Sequence, residues 1–248
     1  MKILIPLVKD SSLTVKSEYY NIPSLIEIEK KPIIQYVYEN YLSIPNAEFI
    51  FVIRKQDNEQ YHLGSVIKLL NPQNTIIVAN SETAGAACTC LLANEYINNE
   101  DPLLIVNGEQ FMNENIEKII EKFEQRQLDG GIITFQSIHP RWSYVRLDEN
   151  KNVIETAEKR PISKSATTGV YYFKQGKDYV RSAMQMIQKD VNVNGNYYIC
   201  PVYNEMILEQ KKIGVYEIVP DHYFSFSTLK GLSELELFLK NKKERITC

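Results

Sequence analysis

The feature that most limits the fold of this chain is a regular alternation of short apolar runs with amphipathic segments. The apolar runs span residues 2–8, 48–53, 74–78 and 102–107. Runs of this length, rich in Ile, Val and Leu, are typical of strands buried on both faces of a parallel sheet. Segments with helical spacing lie between them, at 31–42, 58–70 and 84–96. Since strand and helix follow in turn, the first half predicts a parallel sheet flanked by helices.

The pattern changes after Gly130 and Gly131, where strands are expected to follow one another without long helices and to pair antiparallel. These strands are predicted at 132–135, 144–147, 153–158 and 169–173. Helices are predicted again at 177–188 and 198–211, then a strand at 213–218 and a helix near 232–241. We therefore expect the α/β class, with a Rossmann-like mixed, mainly parallel sheet flanked by helices. At 248 residues and 44% hydrophobic content, the chain suits a single domain spanning 1–248.

The net charge and the hydropathy of the sequence limit the classes of partner that this chain can bind. The formal net charge of -3 gives no basic footprint for nucleic-acid binding, so a small-molecule ligand is favoured. No stretch approaches the ~20 apolar residues that span a bilayer, and residues 1–8 are too short for a signal segment. We expect no nucleic-acid or membrane partner and a cytoplasmic location.

Cysteine and histidine do not form a metal or nucleophile pattern. Cys88 and Cys90 make a C-x-C pair without the second pair that a zinc site needs. The three histidines lie in different predicted elements without ligand spacing. The cysteines are therefore expected to be small buried residues and not nucleophiles.

Ligands of an open α/β sheet bind beyond the carboxyl ends of its strands. One segment in such a position contains Thr83, Ala84, Gly85 and Ala86 and leads into a predicted helix. Its small side chains would let a nucleobase or phosphate approach the backbone. Close packing of the helix on the sheet explains the same composition equally well, so both interpretations stay open.

A second segment is Asn107-Gly108-Glu109, which follows the most apolar predicted strand. Glu109 should emerge at the edge of the sheet, where a hard divalent cation would bind its carboxylate. The alternative is a capping acid on a helix that starts near Asn113.

A third segment, Glu158-Lys159, ends a predicted strand and is followed by Arg160. The carboxylate can accept hydrogen bonds from hydroxyl groups and the lysine can hold a phosphate, although an ordinary charged turn has the same composition. Trp142 and Tyr144 lie nearby in the sequence and line either a pocket or the core.

Together these segments resemble the bacterial NTP-transferase family, which includes glucose-1-phosphate thymidylyltransferases and capsule-locus nucleotidyltransferases. The resemblance covers most of the chain and rests on a series in this order: residues 31–34, 85–89, 102–110, 141–144, 157–163 and 194–205. It implies the GT-A-like fold of nucleotide-diphospho-sugar transferases.

The resemblance also implies an activity: a phosphate oxygen of a sugar 1-phosphate attacks the α-phosphorus of an NTP and releases pyrophosphate, with Mg²⁺ as cofactor. It makes Glu109 the metal-binding acid, and Glu109 and Lys159 the catalytic residues. The expected substrate-binding residues are Thr83, Ala84, Gly85, Ala86, Asn107, Gly108, Tyr144, Glu158 and Gly169. The products would serve surface-polysaccharide synthesis, and a homo-oligomer is possible.

The chain departs from this family in its first loop. The family has G-x-G-x-R-F there, whereas this chain has Lys9-Asp10-Ser11-Ser12-Leu13-Thr14. The lysine of the family's P-K-P-L-I segment is also missing from residues 22–26. Two hypotheses therefore remain: an active nucleotidyltransferase, and a non-catalytic binding or regulatory protein with the same fold.

Overall fold

The computed structural model describes residues 1–8 and 22–247, with side chains described as far as residue 242. The altered first loop, residues 9–14, lies outside the described residues. The strands are β1 (Lys2–Leu7), β2 (Glu27–Ile28), β3 (Lys31–Pro32), β4 (Glu48–Arg54), β5 (Thr75–Ala79), β6 (Leu103–Val106), β7 (Gln110–Met112), β8 (Gly130–Gln136), β9 (Ser143–Leu147), β10 (Val153–Glu158), β11 (Ser165–Phe173), β12 (Ile213–Glu217) and β13 (Tyr223–Ser225).

The helices are α1 (Ile33–Glu39), α2 (Lys55–Tyr61), α3 (Leu63–Leu70), α4 (Ala86–Leu91), α5 (Asn94–Ile97), α6 (Ile116–Gln125), α7 (Gly176–Gln188), α8 (Val202–Leu208) and α9 (Leu229–Thr247). Two short 3-10 helices lie at Pro23–Leu25 and Pro220–His222. Among the helices of the described chain, none has the length and apolar character needed to cross a membrane.

One nine-stranded sheet runs through the described chain, in the order β10-β9-β11-β6-β1-β4-β5, with β8 paired to β11 and β12 paired to β8. The strands β6, β1, β4 and β5 pair parallel with one another, as the βαβ pattern predicts. Strand β11 then pairs antiparallel with β6, β8 and β9. The predicted mixed α/β sheet and its antiparallel second half are confirmed.

Helices cover both faces of the parallel strands. Along β1, Ile3 and Ile5 face one core, which α1, α3, α6 and α9 close. Leu4 lies between them and faces the other core, which α4, α7 and α8 close. Because side chains of a strand alternate between the two faces, burial of all three requires an apolar run of the kind seen at residues 2–8.

Several predicted helices are shorter than their sequence patterns. The predicted helix at 58–70 is two helices, because His62 takes a left-handed conformation with φ of 52° and ends α2. The predicted helix at 84–96 is also divided, into α4 and α5, and the one at 198–211 is only α8. The apolar spacing continues across the first two breaks because Leu63 and Ala93, which lie just beyond them, are buried.

Two short ribbons were not predicted. Lys31 and Pro32, expected to begin a helix, form β3 and pair with β2, so α1 begins at Ile33. Strand β13 pairs antiparallel with β7, which brings a segment near the end of the chain beside the residues that follow β6. Each of these strands has two or three residues, too few for an alternating pattern to be recognised.

The buried Tyr203 hydroxyl on α8 links two paired strands. It donates to the carbonyl oxygen of Tyr172 in β11 at 2.8 Å and lies 3.1 Å from that of Gly131 in β8. Tyr203 is 0% exposed, so water cannot replace these contacts.

We expect Tyr203→Phe to lower the free energy of unfolding by about 1–3 kcal/mol in urea denaturation. Tyr96→Phe, at a 42% exposed position, is the control and should change it by less than about 0.5 kcal/mol; equal stability of both variants would contradict the role of the Tyr203 hydroxyl.

Candidate active site

The carboxyl end of β6 is held by two close backbone contacts. The Asn107 amide donates to the Gly169 carbonyl at 2.9 Å, and a Cβ at Gly169 would lie 3.0 Å from the Asn107 Cβ. Gly108 packs on β1, where an added Cβ would lie 2.2 Å from a methyl group of Leu7. Asn107, Gly108 and Gly169, three of the predicted substrate-binding residues, therefore lie in one packed region. Their contact with substrate remains a prediction.

Glu109 follows this cluster and is half-buried. Its amide donates to the Asn107 side chain at 3.1 Å and its carbonyl accepts from the Phe226 amide at 2.8 Å. Burial raises the pKa of Tyr223; the positive charge of Arg141 opposes this shift and the negative charge of Glu109 adds to it. The bond to Phe226 holds the backbone of Glu109 beside the residue that follows β13.

The alternative role of Glu109 as a helix cap does not fit the structure. Helix α6 begins at Ile116, and its cap is Asn115, whose side chain accepts from the Lys118 amide at 3.0 Å. Glu109 is separated from that helix by strand β7. Its position after a buried strand consequently needs another explanation.

A small cavity of about 30 Å³ opens beside Glu109. Glu109 and Gly108 line it from the end of β6, and Arg54 lines it from the end of β4. Arg54 makes two parallel bonds to Asp57, Nε to Oδ2 and Nη2 to Oδ1, both at 2.8 Å. Asp57, which is 5% exposed, also lines the cavity. A carboxylate and a guanidinium thus line the same space at the carboxyl ends of β6 and β4, the two parallel strands on either side of β1.

The segment of Thr83, Ala84, Gly85 and Ala86 packs on a backbone segment from the second half of the chain. Gly85 has φ of 104° and ψ of 172°, a conformation essentially restricted to glycine. A Cβ there would lie 2.5 Å from the Tyr197 carbonyl oxygen. The Tyr197 amide donates to the Ala84 carbonyl at 2.8 Å, and its own carbonyl accepts from the Ala87 amide at 3.0 Å.

Close packing therefore explains Gly85, although the partner is the Tyr197 backbone and not the sheet. Thr83 is tied into the same turn, because its hydroxyl lies 2.6 Å from that of Thr89. Ala86 is the first residue of α4. A nucleobase contact from this segment remains a prediction.

Lys159 is connected to the Gly85 segment through Tyr198. Its ammonium donates to the Tyr198 hydroxyl at 2.7 Å and lies 4.8 Å from the centre of that ring. Tyr198 follows Tyr197 directly in the chain. Two segments that the sequence selected separately, at Gly85 and Lys159, are thereby brought together.

Glu158 ends β10 and accepts a short hydrogen bond from the Ser143 hydroxyl. Burial raises the pKa of Tyr171 and of Cys200, and the negative charge of Glu158 adds to both shifts. β10 pairs Glu158 with Ser143, and β9 pairs the next residue, Tyr144, with Ala166 of β11. Since β11 reaches the end of β6 only at Val170, the backbone of Glu158 lies beyond the carboxyl end of β6.

Tyr144 is placed differently from the sequence prediction. It is 0% exposed, its hydroxyl donates to the His139 carbonyl at 2.6 Å, and burial raises its pKa. Its ring belongs to the core, because the alternation along β9 turns it toward the buried face. We therefore leave Tyr144 out of the proposed substrate contacts. Trp142 is half-buried and packs on Phe135 and Tyr223.

A metal ion at this site would need ligands from outside the protein. Within the described part of the chain, no group of three or more His, Cys, Asp or Glu side chains could hold an ion alone. A hard divalent cation can bind through one or two carboxylates and complete its shell with water and substrate phosphates. The Glu109 carboxylate is compatible with that mode of binding.

The described cysteines do not supply a nucleophile. Burial raises the pKa of Cys90 to about 12 and raises those of Cys88 and Cys200. All three therefore stay as thiols near neutral pH, and the reactive species would be the thiolate.

Three contributors were not predicted: Ser143, Tyr198 and the pair of Arg54 with Asp57. The rule that selected Glu109, a charged residue directly after a buried strand, would also have selected Arg54 at the end of residues 48–53. The partners Ser143 and Tyr198 are uncharged and give no comparable signal in the sequence.

The contact between Gly85 and Tyr197 predicts a large effect of a single methyl group. Gly85→Ala should lower the free energy of unfolding by about 2–4 kcal/mol, because the clash with the Tyr197 carbonyl adds to backbone strain. Gly195→Ala is the matched control, since Gly195 also has positive φ but no atom within 4 Å of an added Cβ. It should lose only about 1–2 kcal/mol. Equal losses in chemical denaturation would show that the close contact is absent.

Two solved structures with this fold are named as nucleotide-sugar pyrophosphorylases. The crystal structure of a nucleoside-diphosphate-sugar pyrophosphorylase from Vibrio cholerae RC9 superposes with a TM-score of 0.80 and 22% identity, covering 94% of this chain and 98% of that one. A UDP-glucose pyrophosphorylase complexed with UDP-glucose gives a TM-score of 0.77 at 14% identity, covering 97% and 98%. These structures confirm the predicted GT-A-like fold.

Sequence comparison gives the family. Two curated relatives are named bifunctional protein GlmU: that of Pseudothermotoga lettingae is 25% identical over 183 residues, 70% of this chain and 38% of the relative. That of Clostridioides difficile is 24% identical over 166 residues, 62% of this chain and 35% of the relative. The chain thus spans little more than a third of the length of these relatives. The family model described as nucleotidyl transferase matches residues 19–198, which is most of the chain. The chain belongs to the nucleotidyl transferase family.

Proposed function

We propose that this protein is a nucleotidyltransferase that condenses an NTP with a sugar 1-phosphate or a related phosphorylated metabolite and releases pyrophosphate. The observation that carries the proposal is the convergence of separate segments at the carboxyl end of β6. Glu109 lies there with Arg54 across a shared cavity, and β9 and β10 bring Glu158 toward the same end. This edge is where open α/β sheets bind ligands.

Separate residues of the site suit separate groups of the two substrates. Glu158, fixed by the Ser143 hydroxyl, is an acceptor for sugar hydroxyl groups. Lys159, placed by Tyr198, offers a positive charge to the sugar phosphate. The segment from Thr83 to Ala86 is the proposed neighbour of the nucleobase.

The chemistry requires mainly positioning and charge neutralisation. A phosphate oxygen of the sugar 1-phosphate forms a bond to the α-phosphorus of the NTP, while the bond from that phosphorus to pyrophosphate breaks. Lys159 would orient the attacking phosphate, and Glu109 would hold Mg²⁺. Mg²⁺, when bound, neutralises phosphate charge. A half-buried Glu109 next to buried strands works in a medium where such charge interactions are stronger than in water.

The biological setting is part of the proposal. The resemblance to capsule-locus enzymes favours a product used in surface-polysaccharide synthesis, made in the cytoplasm from soluble phosphorylated substrates. The second hypothesis, a non-catalytic binding protein of the same fold, is favoured by one observation: residues 9–14 lack the glycines and the arginine of the family's loop.

One assay separates the two hypotheses. The protein is incubated with each NTP, a panel of sugar 1-phosphates and Mg²⁺, and pyrophosphate release is measured. Turnover with one pair is expected. No turnover with any pair, together with nucleotide binding in calorimetry, would favour the non-catalytic protein.

The role of Glu109 predicts a specific loss. Glu109→Gln should lower Mg²⁺-dependent turnover by at least about 100-fold while the thermal midpoint stays nearly unchanged, because the amide keeps the shape but loses the charge. Glu121→Gln, which removes an exposed carboxylate from α6, is the control and should keep full activity. Unchanged turnover in the Glu109 variant would remove this residue from the mechanism.

The proposed role of Lys159 predicts that its removal raises the KM for one of the two substrates. Lys159→Met should raise the KM for the sugar 1-phosphate by about tenfold or more, since it removes a charge-assisted phosphate contact. The KM for the NTP should change much less. Lys164→Met, which removes another exposed lysine five residues further along the chain, is the control and should leave both values unchanged. A larger effect on the NTP than on the sugar phosphate would contradict the assignment.

A further inference from the structure

Strand β10, which ends in Glu158, lies at one edge of the sheet. Among the strands of the described chain, only β9 pairs with β10. The backbone N–H and C=O groups on the other side of an edge strand need a different partner wherever water cannot reach them. Thr156, two residues before Glu158, is 3% exposed, so its backbone groups require such a partner.

The side chain of Asn204 on α8 supplies this partner. The Thr156 amide donates to Oδ1 of Asn204 at 2.8 Å, and Nδ2 of Asn204 donates to the Thr156 carbonyl at 2.9 Å. One side-chain amide therefore bonds both backbone groups of one residue, as a residue of a neighbouring antiparallel strand would. An asparagine is suited to this contact because its amide has a donor and an acceptor side by side.

The Thr156 side chain contacts the same part of the chain. Its hydroxyl donates to the Cys200 carbonyl at 2.9 Å and lies 3.1 Å from Oδ1 of Asn204. Tyr198, whose hydroxyl accepts from the Lys159 ammonium, lies two residues before Cys200. Residues 198–204 therefore contact both Thr156 and the residue that follows β10.

These contacts bear on Glu158 because it lies two residues beyond Thr156 on the same strand. The Glu158 carboxylate is held from β9 by the Ser143 hydroxyl. The strand that carries it is held on its other edge by Asn204. Without the Asn204 amide, Thr156 would lose both of its partners at that edge, and the backbone before Glu158 could shift relative to β9.

The next residue of α8 makes a contact of a different kind. Glu205, which is 5% exposed, lies 2.5 Å from the ammonium of Lys189, just after α7. This ion pair links α8 to the end of α7 and does not include β10. Two adjacent residues of one helix thus contact different neighbours, so substitutions at Asn204 and Glu205 can be compared directly.

We propose that Asn204 is a positioning residue for the sugar 1-phosphate: it takes the place of a neighbouring strand at the outer edge of β10 and so holds Glu158 where the sugar hydroxyl groups bind. This inference rests on the proposed nucleotidyltransferase function and adds a residue that acts through Glu158 without touching substrate. It concerns one substrate, because the proposed contacts of the NTP are at Glu109 and at the segment of Gly85.

Hydrogen exchange of the full chain, followed by NMR, tests the contact without any substrate. In Asn204→Ala, the Thr156 amide should exchange at least about tenfold faster than in the wild type, because it loses its acceptor. Asn204→Gln keeps both groups of the amide, one methylene further from the helix, and should give an intermediate rate. Glu205→Gln is the matched control and should lower the thermal midpoint without changing exchange at Thr156. Unchanged exchange at Thr156 in Asn204→Ala would overturn the inference.

Steady-state kinetics with Mg²⁺ and the best pair of NTP and sugar 1-phosphate test the positioning role. Asn204→Ala should raise the KM for the sugar 1-phosphate by roughly five- to tenfold, the effect of one weakened hydrogen bond. The KM for the NTP should change by less than about twofold. Glu205→Gln should leave both KM values unchanged.

A double-mutant cycle shows whether Asn204 acts through Glu158. Glu158→Gln alone should raise the KM for the sugar 1-phosphate, and in that background Asn204→Ala should add less than about a twofold change. Where Asn204→Ala does not fold, Asn204→Gln takes its place in the cycle. The same increase in KM in both backgrounds would show that Asn204 acts independently of Glu158 and would overturn the inference.

The results distinguish this inference from the proposed function. A wild type that turns over, together with folded Asn204 variants that keep both KM values, overturns the inference and leaves the function in place. An equal increase in the KM values for both substrates, or the same increase in Glu205→Gln, would show a general effect on the fold and also overturn it. A wild type that releases no pyrophosphate with any substrate pair overturns the function and the inference together.

Discussion

The arrangement of the site depends on strand β6 and on its two different neighbours. β6 pairs parallel with β1 on one side and antiparallel with β11 on the other, and all four of its residues are buried. The bond from the Asn107 amide to the Gly169 carbonyl continues the pairing with β11 past the end of β6. Because the parallel and antiparallel parts of the sheet join where β6 pairs with β11, the register of this pair sets where the strand ends of the two parts lie relative to each other.

The charged residues proposed for the site form two groups on either side of the β6–β11 pair. Arg54 and Glu109 lie toward β1 and β4, while Glu158 and Lys159 lie toward β9 and β10. Each group contains one acid and one base, and each has a fixed partner: Asp57 for the guanidinium and Tyr198 for the ammonium. The proposed nucleotidyl transfer would use Glu109 for a metal-bound nucleotide, and Glu158 and Lys159 for the sugar phosphate.

The sequence was sufficient for the parts of the fold that follow from periodicity. Buried runs predicted β1, β4, β5 and β6 within one or two residues, and the rule about strand ends led to Glu109. Periodicity could not show the three-residue ribbon of β7 and β13, nor the left-handed conformation of His62 that divides a helix. Contacts between distant segments were also out of reach, since the partners of Ser143 and Tyr198 are residues that only the folded chain brings near.

The glycine at position 85 is required by packing, although the sequence around it is also typical of a ligand-binding segment. The small residues around it are typical of a surface that a nucleobase approaches, yet the missing side chain is required by the Tyr197 carbonyl. The contact nevertheless bears on function, because Tyr197 is joined to Tyr198 and Tyr198 holds the ammonium of Lys159. The Gly85 segment and Lys159 are therefore linked through two consecutive tyrosines, and the close packing that requires glycine at position 85 also fixes the backbone next to the tyrosine that Lys159 contacts.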